Sequence, residues 1–352
     1  MTDGIQRVVT GRHLTRAEAE SLMEAIMTGQ ATDAQIASLL TALRMKCETV
    51  DELTGFARVM RDKAARVQTR AGVGASLSGT DREMLIDTCG TGGDATGTFN
   101  ISTATAFVVA GTGVRVAKHG NRSVSSLCGS ADVVEALGVR LDLAADDVAR
   151  CIDEVGIGFL YAPLLHDAMR YVVIARREMK IRTVFNLLGP ICNPANATAQ
   201  VLGVYGEDLT ELMAQVLCEL GTQHALVVHG ADGLDEITIT GETKISEANA
   251  GKVRTYYVTP EDFGIARAPI RAIQGGGAQE NAAIIRDILA DKDGPKKDVV
   301  LLNAAAGLVV GGKASGLRDG IALARESIGS GKAMECLQRL VELSHRLGSR
   351  SP

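Results

Sequence analysis

A chain of 352 residues, 46% of them apolar, is too long for one simple core and suits two domains, or one large domain with a smaller companion. The absence of Trp, an aromatic content of 3% and a formal charge of −5 argue against base stacking and against a phosphate-backbone partner, so no nucleic-acid role is expected. The cysteines stand singly, at Cys47, Cys89, Cys128, Cys151, Cys192, Cys218 and Cys336, with no CxxC pair; a disulfide framework and a zinc ribbon are excluded, and a reducing cytoplasm is the expected location. No signal-peptide pattern stands at the N-terminus, and no segment approaches the ~20 unbroken apolar residues of a membrane span.

Residues 1–60 read as short amphipathic helices in series. Thr15 with Glu18, Thr32 with Gln35 and Thr49 with Glu52 have the capping-box spacing, and an apolar stripe at helical period follows each. The polar, glycine-containing stretch 68–83 reads as a linker. Beyond it, short apolar runs alternate with helical patterns. Strands are predicted at 84–87, 114–117, 201–204, 225–229 and 237–240. Helices are predicted to begin near Ser102, Ser130, Asp146, His166, Asp208, Gln279, Leu317 and Lys332. This alternation predicts an α/β class with a mostly parallel sheet, whose ligands collect at the carboxyl ends of the strands.

The stretch DTCGTGGDATGTFNIST (87–103) joins the first predicted strand to a helix through four glycines. Gly90, Gly92 and Gly93 permit close backbone approach to an anion, and Asn100, Ser102 and Thr103 stand where a helix would start. Gly90-x-Gly92-x-x-Ala95 also fits a dinucleotide fingerprint, but the next strand ends in Lys118-His119-Gly120-Asn121-Arg122 rather than in an acidic residue. That leaves NADP, with its 2′-phosphate, as a minority reading. KHGNRSVSS (118–126) supplies cations and hydroxyls at the same sheet end, and two phosphate-type loops together suggest a ligand with two phosphate groups.

Asp235 and Glu236 follow a third strand and are placed to hold Mg²⁺ opposite phosphates. In 166–195, Arg176 falls near the apolar face of a helix and is a candidate clamp for a carboxylate, whereas Arg177 is expected in solvent. His166 fits a capping or core role as well as a functional one. LLGPICNP reads as a rigid turn, with Asn193 and Pro194 shaping the backbone.

GTGGD, NIST, KHGNRSVSS, GSADVVEALG, RTVFNLLGPICNPA, DGLDE and GKAMECL, in this order and preceded by LTRAEAESLMEAIMTGQATDAQIASLLTALRMKCET, resemble the anthranilate phosphoribosyltransferases of tryptophan biosynthesis over essentially the whole length. The resemblance implies a fold of the nucleoside phosphorylase class III type. A small helical domain (1–72 plus about 166–185) would be the homodimer interface, and 80–165 with 186–352 would form the α/β domain. It implies transfer of the phosphoribosyl group of phosphoribosyl pyrophosphate to anthranilate, with two Mg²⁺ per site and no protein nucleophile. Carried over by motif, the donor would meet Gly90, Gly93, Asp94, Thr98, Asn100, Ile101, Ser102, Thr103, Lys118, His119, Gly120, Asn121, Arg122, Ser123, Val124, Ser125, Ser126 and Ser130. Anthranilate would meet Gly90, His119, Asn121, His166 and Arg176, and the metal would meet Ser102, Asp235 and Glu236. Asp167, Lys180, Leu127-Cys128 and Thr88-Cys89 depart from the usual family residues, a glycine in the case of Lys180. A related transferase or nucleoside phosphorylase with another acceptor, and a non-catalytic sugar-phosphate binder, are the alternative classes; the carboxylate-reading Arg176 and the metal pair speak against them.

Overall fold

The computed structural model describes residues 1–70, 84–94, 96–123 and 127–349. Most of the expected linker, Ala95, and the predicted donor contacts Val124, Ser125 and Ser126 lie outside the described residues.

Four helices open the chain: α1 (Thr2–Val9), α2 (Arg16–Met27), α3 (Asp33–Lys46) and α4 (Val50–Lys63). All three expected capping boxes close. At α4 the Thr49 hydroxyl accepts from the Glu52 amide (3.3 Å) while the Glu52 carboxylate accepts from the Thr49 amide (2.9 Å). A cap of this kind contributes roughly 1 kcal/mol. Glu52 does more: buried, it also accepts from the Leu14 amide and from Lys46 Nζ, each at 2.9 Å. One carboxylate thereby ties the start of α4 to the end of α3 and the approach to α2.

A seven-stranded sheet runs in the order β3-β2-β1-β4-β5-β6-β7. Its strands are β1 (Leu85–Gly90), β2 (Arg115–Gly120), β3 (Ile157–Tyr161), β4 (Ala199–Gly203), β5 (His224–Gly230), β6 (Thr243–Asn249) and β7 (Lys252–Val258). The first five are parallel, and β6 and β7 add an antiparallel edge. The remaining helices are α5 (Ile101–Gly111), α6 (Ser130–Ala136), α7 (Ala145–Val155), α8 (Ala162–Leu165), α9 (Arg170–Met179), α10 (Val184–Ile191), α11 (Leu209–Glu219), α12 (Ala278–Leu289), α13 (Pro295–Val310), α14 (Leu317–Gly329) and α15 (Lys332–Gly348). A small helical unit and a large α/β unit with a mostly parallel sheet is the predicted fold class.

Strand alternation divides the interior. Leu226 and Val228 of β5 face one core, with α5, α6, α7 and α12–α15. Ala225 and Val227 face the other, with α11, α9, α10 and the four opening helices. β1 lies between β2 and β4, so the chain reverses its direction of winding there, and a crevice opens at the carboxyl ends of these strands.

Several expectations are corrected. Residues 237–240 form no strand: the Ile237 amide bonds to Asn303 Oδ1 (2.9 Å) and the Thr238 amide to Thr243 Oγ1 (3.0 Å), so side chains replace a ladder. The second strand runs on to Gly120, with Lys118 and His119 paired in register to Phe159 and Leu160 of β3. His166 (φ −124°, ψ 61°) follows α8 and precedes a 3₁₀ turn, Asp167–Met169, rather than opening an α-helix directly; α9 starts at Arg170. The stretch read as a rigid turn is mostly α10, with Pro190 inside its last turn. Among the described residues no helix is long and apolar enough to cross a membrane.

Candidate active site

The glycine turn leaves β1 and is held in place by β4 and by the loop after β5. The Thr91 amide donates to Gly203 O (2.9 Å) and the Gly92 amide to Asp235 Oδ2 (2.8 Å). Gly92 (φ 67°) and Gly93 (φ 74°) use the left-handed region that favours glycine. Gly90 and Gly203 are glycine for another reason. A Cβ on Gly90 would lie 2.4 Å from Asp235 Oδ2, and one on Gly203 would lie 1.5 Å from the Asp235 carbonyl oxygen. Two strand ends are bare so that one carboxylate-bearing residue can press against them.

Glu236 is buried and Asp235 half-buried. Burial raises the pKa of both carboxyls, with Asp94 adding to the shift of Asp235 and Asp235 to that of Glu236. The Ser102 backbone, in the first turn of α5, acts on Glu236 and favours its ionised form against burial. Lys118, buried on β2, donates to Thr88 O and to Ser102 Oγ (3.3 Å for the latter). Gly90, Ser102, Lys118, Asp235 and Glu236 thus meet at one place, with the charge of Asp94 acting on it. Buried carboxylates short of cations are the donor set of a hard divalent ion. Among the described residues no group of three or more His, Cys, Asp or Glu side chains forms a closed metal cage. The adjacent carboxyls of Asp235 and Glu236, beside the Ser102 hydroxyl, fit Mg²⁺, which takes few protein ligands and completes its shell from phosphate and water.

His119 on β2 and His166 after α8 are both buried, their ring centroids 5.2 Å apart. Burial lowers the imidazole pKa of His119 to about 3 and that of His166 to about 4, so both are neutral at pH 7. The Gly189 backbone acts on the His119 ring and the Cys192 backbone on the His166 ring, each raising the imidazole pKa against burial, and among the described residues neither Nε2 has a partner. Arg176 is half-buried on α9, 5.4 Å from the Phe185 ring centroid, and burial lowers its pKa. It has no hydrogen-bond or ion-pair partner among the described residues. Arg177 is exposed.

The basic loop is arranged differently from expectation. Arg122 is exposed and forms ion pairs with Asp132 and Glu135, both at 2.9 Å. Asp132 also accepts from the Ser123 amide (3.1 Å) and the Gly129 amide (2.9 Å), and Ser130 Oγ accepts from the Asn121 amide (3.3 Å). The start of α6 therefore holds Asn121, Arg122 and Ser123, while Gly120 closes β2 with no room for a Cβ beside Ser130 Oγ. Ile101 places its side chain in the core and its amide on Phe99 O (2.7 Å). Thr103 is buried with an unpartnered hydroxyl. Thr98 pairs with Gln274 across an isolated bridge.

Three residues missed in the sequence reading hold this framework. Buried Asp87 accepts from the His119 amide (3.1 Å) and from Asn193 Nδ2 (2.8 Å). Arg182 donates to Gly93 O and lies 4.4 Å from the Tyr205 ring centroid. Asn281 bonds to Asn100 (3.0 Å). Of the departures from the family pattern, Asp167 points outward to an ion pair with Arg170.

A family model described as the glycosyl transferase family, a/b domain, matches residues 82–334, and one described as its helical bundle domain matches 2–64. The chain is similar to anthranilate phosphoribosyltransferases of Symbiobacterium thermophilum (54% identity, 99% of this chain and 98% of that one) and Citrifermentans bemidjiense (56%, 97% and 98%). Its structure resembles the Thermus thermophilus anthranilate phosphoribosyltransferase with a TM-score of 0.90 at 43% identity, covering 97% of this chain and 99% of that one. It also resembles the Saccharomyces cerevisiae enzyme, solved in complex with PRPP and Mg, with a TM-score of 0.87 at 25% identity, covering 98% of both chains. The chain belongs to the glycosyl transferase family of these proteins and, within it, to the anthranilate phosphoribosyltransferases.

Proposed function

We propose that the chain transfers the phosphoribosyl group of 5-phosphoribosyl 1-pyrophosphate to the amine of anthranilate and releases pyrophosphate, a step of tryptophan biosynthesis. The observation that carries the reading is the meeting of Asp235, Glu236, Ser102 and Lys118 at the turn after β1.

The ribose C1–oxygen bond breaks with its electron pair leaving on pyrophosphate, while the anthranilate nitrogen forms the new bond to C1 and sheds its proton to water. Lys118 and the amides of the glycine turn stabilise the departing anion. Mg²⁺, held by Ser102, Asp235 and Glu236 and taken as two ions per site, supplies the remaining positive charge when bound. Arg176 reads the anthranilate carboxylate; that it has no hydrogen-bond or ion-pair partner among the described residues, only the Phe185 ring beside it, supports that role. The neutral imidazoles of His119 and His166 line the acceptor side and add no repulsive charge to it. An aromatic amine is nucleophilic while neutral, so alignment rather than a strong base is what the protein provides. Gly93, Asp94, Thr98, Asn100, Asn121 and Ser130 complete the donor side. Arg122 reaches a phosphate only by leaving Asp132 and Glu135.

The proposal includes a homodimer through the helical unit formed by residues 1–72 and about 166–185, in the cytoplasm. Exposed Val9, Met45, Val173, Ile174 and Ile181 on that unit support it. The test is to mix the protein with anthranilate, phosphoribosyl pyrophosphate and Mg²⁺ and to follow anthranilate fluorescence. Loss of the signal that needs all three is expected; a constant signal overturns the reading.

A further inference from the structure

We propose that Asn281, in the first turn of α12, is a positioning residue for the donor side: it holds the Asn100 side chain away from the helix that Asn100 itself caps. Asn281 is 1% exposed and bonds in two directions. Its Oδ1 accepts from the Gly276 amide (2.8 Å) and its Nδ2 donates to Asn100 Oδ1 (3.0 Å). Asn100 Nδ2 in turn donates to Cys128 O (3.2 Å). The two ends of this chain are a backbone amide, which only donates, and a backbone carbonyl, which only accepts. Neither side-chain amide can flip without breaking a bond.

This has a consequence for α5. An asparagine at an N-cap ordinarily turns its Oδ1 onto the amides of the first helical turn. Asn100 is the N-cap of α5, yet it makes no such bond, because its Oδ1 faces Asn281. The Ser102 backbone instead lies where it acts on Glu236 and favours its ionised form. A released Asn100 would turn onto the amides of that first turn and alter the spacing of Ser102 and Glu236. The brace also dictates its surroundings. Gly275 has no room for a side chain, since a Cβ there would lie 2.4 Å from Asn281 Oδ1 and 2.7 Å from Phe99 Cα. The Gly275 amide donates to Gly97 O (2.9 Å), which lays the 273–277 segment along the strand-like stretch before α5.

The inference rests on the donor reading of this site. Asn281→Asp is the discriminating variant, because it keeps an acceptor for Gly276 but sets an oxygen against Asn100 Oδ1. Loss of one such bond corresponds to about a tenfold change. We expect the donor KM to rise by about that factor with the anthranilate KM unchanged. Calorimetric binding of phosphoribosyl pyrophosphate, with Mg²⁺ and without it, should weaken to match. In an Asn100→Ala background, Asn281→Asp should add nothing further. A fall in Tm with both KM values and donor binding intact would overturn the proposal, as would additive effects of the two substitutions or a rise confined to the anthranilate KM. If Asn281→Asp does not fold, Asn281→Ser, judged by the same calorimetry, decides instead. Failure of the function reading would show differently, as wild-type protein that binds the donor but does not consume anthranilate.

Discussion

On the donor side, Lys118, Asp235 and Arg122 each already have a partner within the chain. On the acceptor side, Arg176 and the Nε2 atoms of His119 and His166 have no hydrogen-bond or ion-pair partner among the described residues. An unpaired buried polar atom costs roughly 1–3 kcal/mol, so the acceptor side holds a standing cost that a ligand can relieve without rearranging the protein. On the donor side a ligand meets groups that are already bonded, Asp235 to the Gly92 amide and Arg122 to Asp132 and Glu135, and binds them by sharing or exchanging those bonds. A divalent cation with phosphate is the kind of ligand that can win such an exchange, whereas a small carboxylate can simply fill the acceptor side.

The largest effect should follow from Lys118→Met. The side chain sits beside Ser102 and offsets the charge of Glu236 and Asp87. Removing it should lower kcat by roughly 10²–10³-fold, the size of losing one group that stabilises a leaving anion. Anthranilate binding, followed by fluorescence titration, should be unchanged. Equal loss on both sides would break the comparison.

Arg176→Ala probes the other side. Loss of a charge-assisted contact of about 2–3 kcal/mol should lower kcat/KM for anthranilate by roughly 30- to 150-fold. The donor KM should stay put. Steady-state kinetics with each substrate varied in turn separates the two; a donor KM that rises instead would remove the assigned role.

The sequence reading reached the donor side further than its supports, for physical reasons. Capping boxes and the glycine turn are local patterns, set by neighbours three or four residues apart, and they were readable. The strand limits failed at Lys118 and His119 because polar residues at a strand end look like a loop, although they are the residues a site needs there. Helix α13 was missed because Val299–Leu308 is buried on all sides and so carries no polar stripe to mark a helical period. The antiparallel edge, β6 and β7, mixes polar residues into its alternation: Glu247 and Ser246 are buried, whereas much of β7 is exposed. Asp87, Arg182 and Asn281 act across 32, 89 and 181 residues of chain, distances at which no spacing rule operates.

The antiparallel edge offers a control, since it holds a charged cluster at the amino end of β5, the opposite end of that strand from the Asp235–Glu236 loop. Glu247 accepts from His224 Nε2 (2.9 Å) and Arg254 Nη2 (2.7 Å), and these bonds, His224 first, lower its pKa from 4.5 to about 2. A depressed carboxyl contributes stability above its unfolded pKa and loses it as the pH falls from about 4.5 towards 2. Relative to wild type, Glu247→Gln should lose on the order of 1–2 kcal/mol at pH 7, discounted for the exposed Arg254. That deficit should shrink between pH 4.5 and 2 in urea titrations. Both KM values should stay unchanged. A kinetic effect would mean that the edge is coupled to the site.

The smallest expected effect, Lys180→Gly, asks whether the acceptor side tolerates a gain in stability. Lys180 ends α9 in the left-handed region (φ 52°, ψ 27°), where its amide still donates to Arg176 O (3.3 Å). A side chain in that conformation costs about 1 kcal/mol, and glycine removes the cost without changing the hydrogen bond. Part of the gain is offset because glycine adds freedom to the unfolded chain. Thermal denaturation should therefore show a Tm higher by a few degrees at most. Arg176 stands one turn upstream on a helix whose last bond is retained, so the anthranilate KM should not move. A rise in that KM would show that the strained lysine at the helix end sets the reach of the guanidinium, and that the acceptor side is less rigid than its buried imidazoles imply.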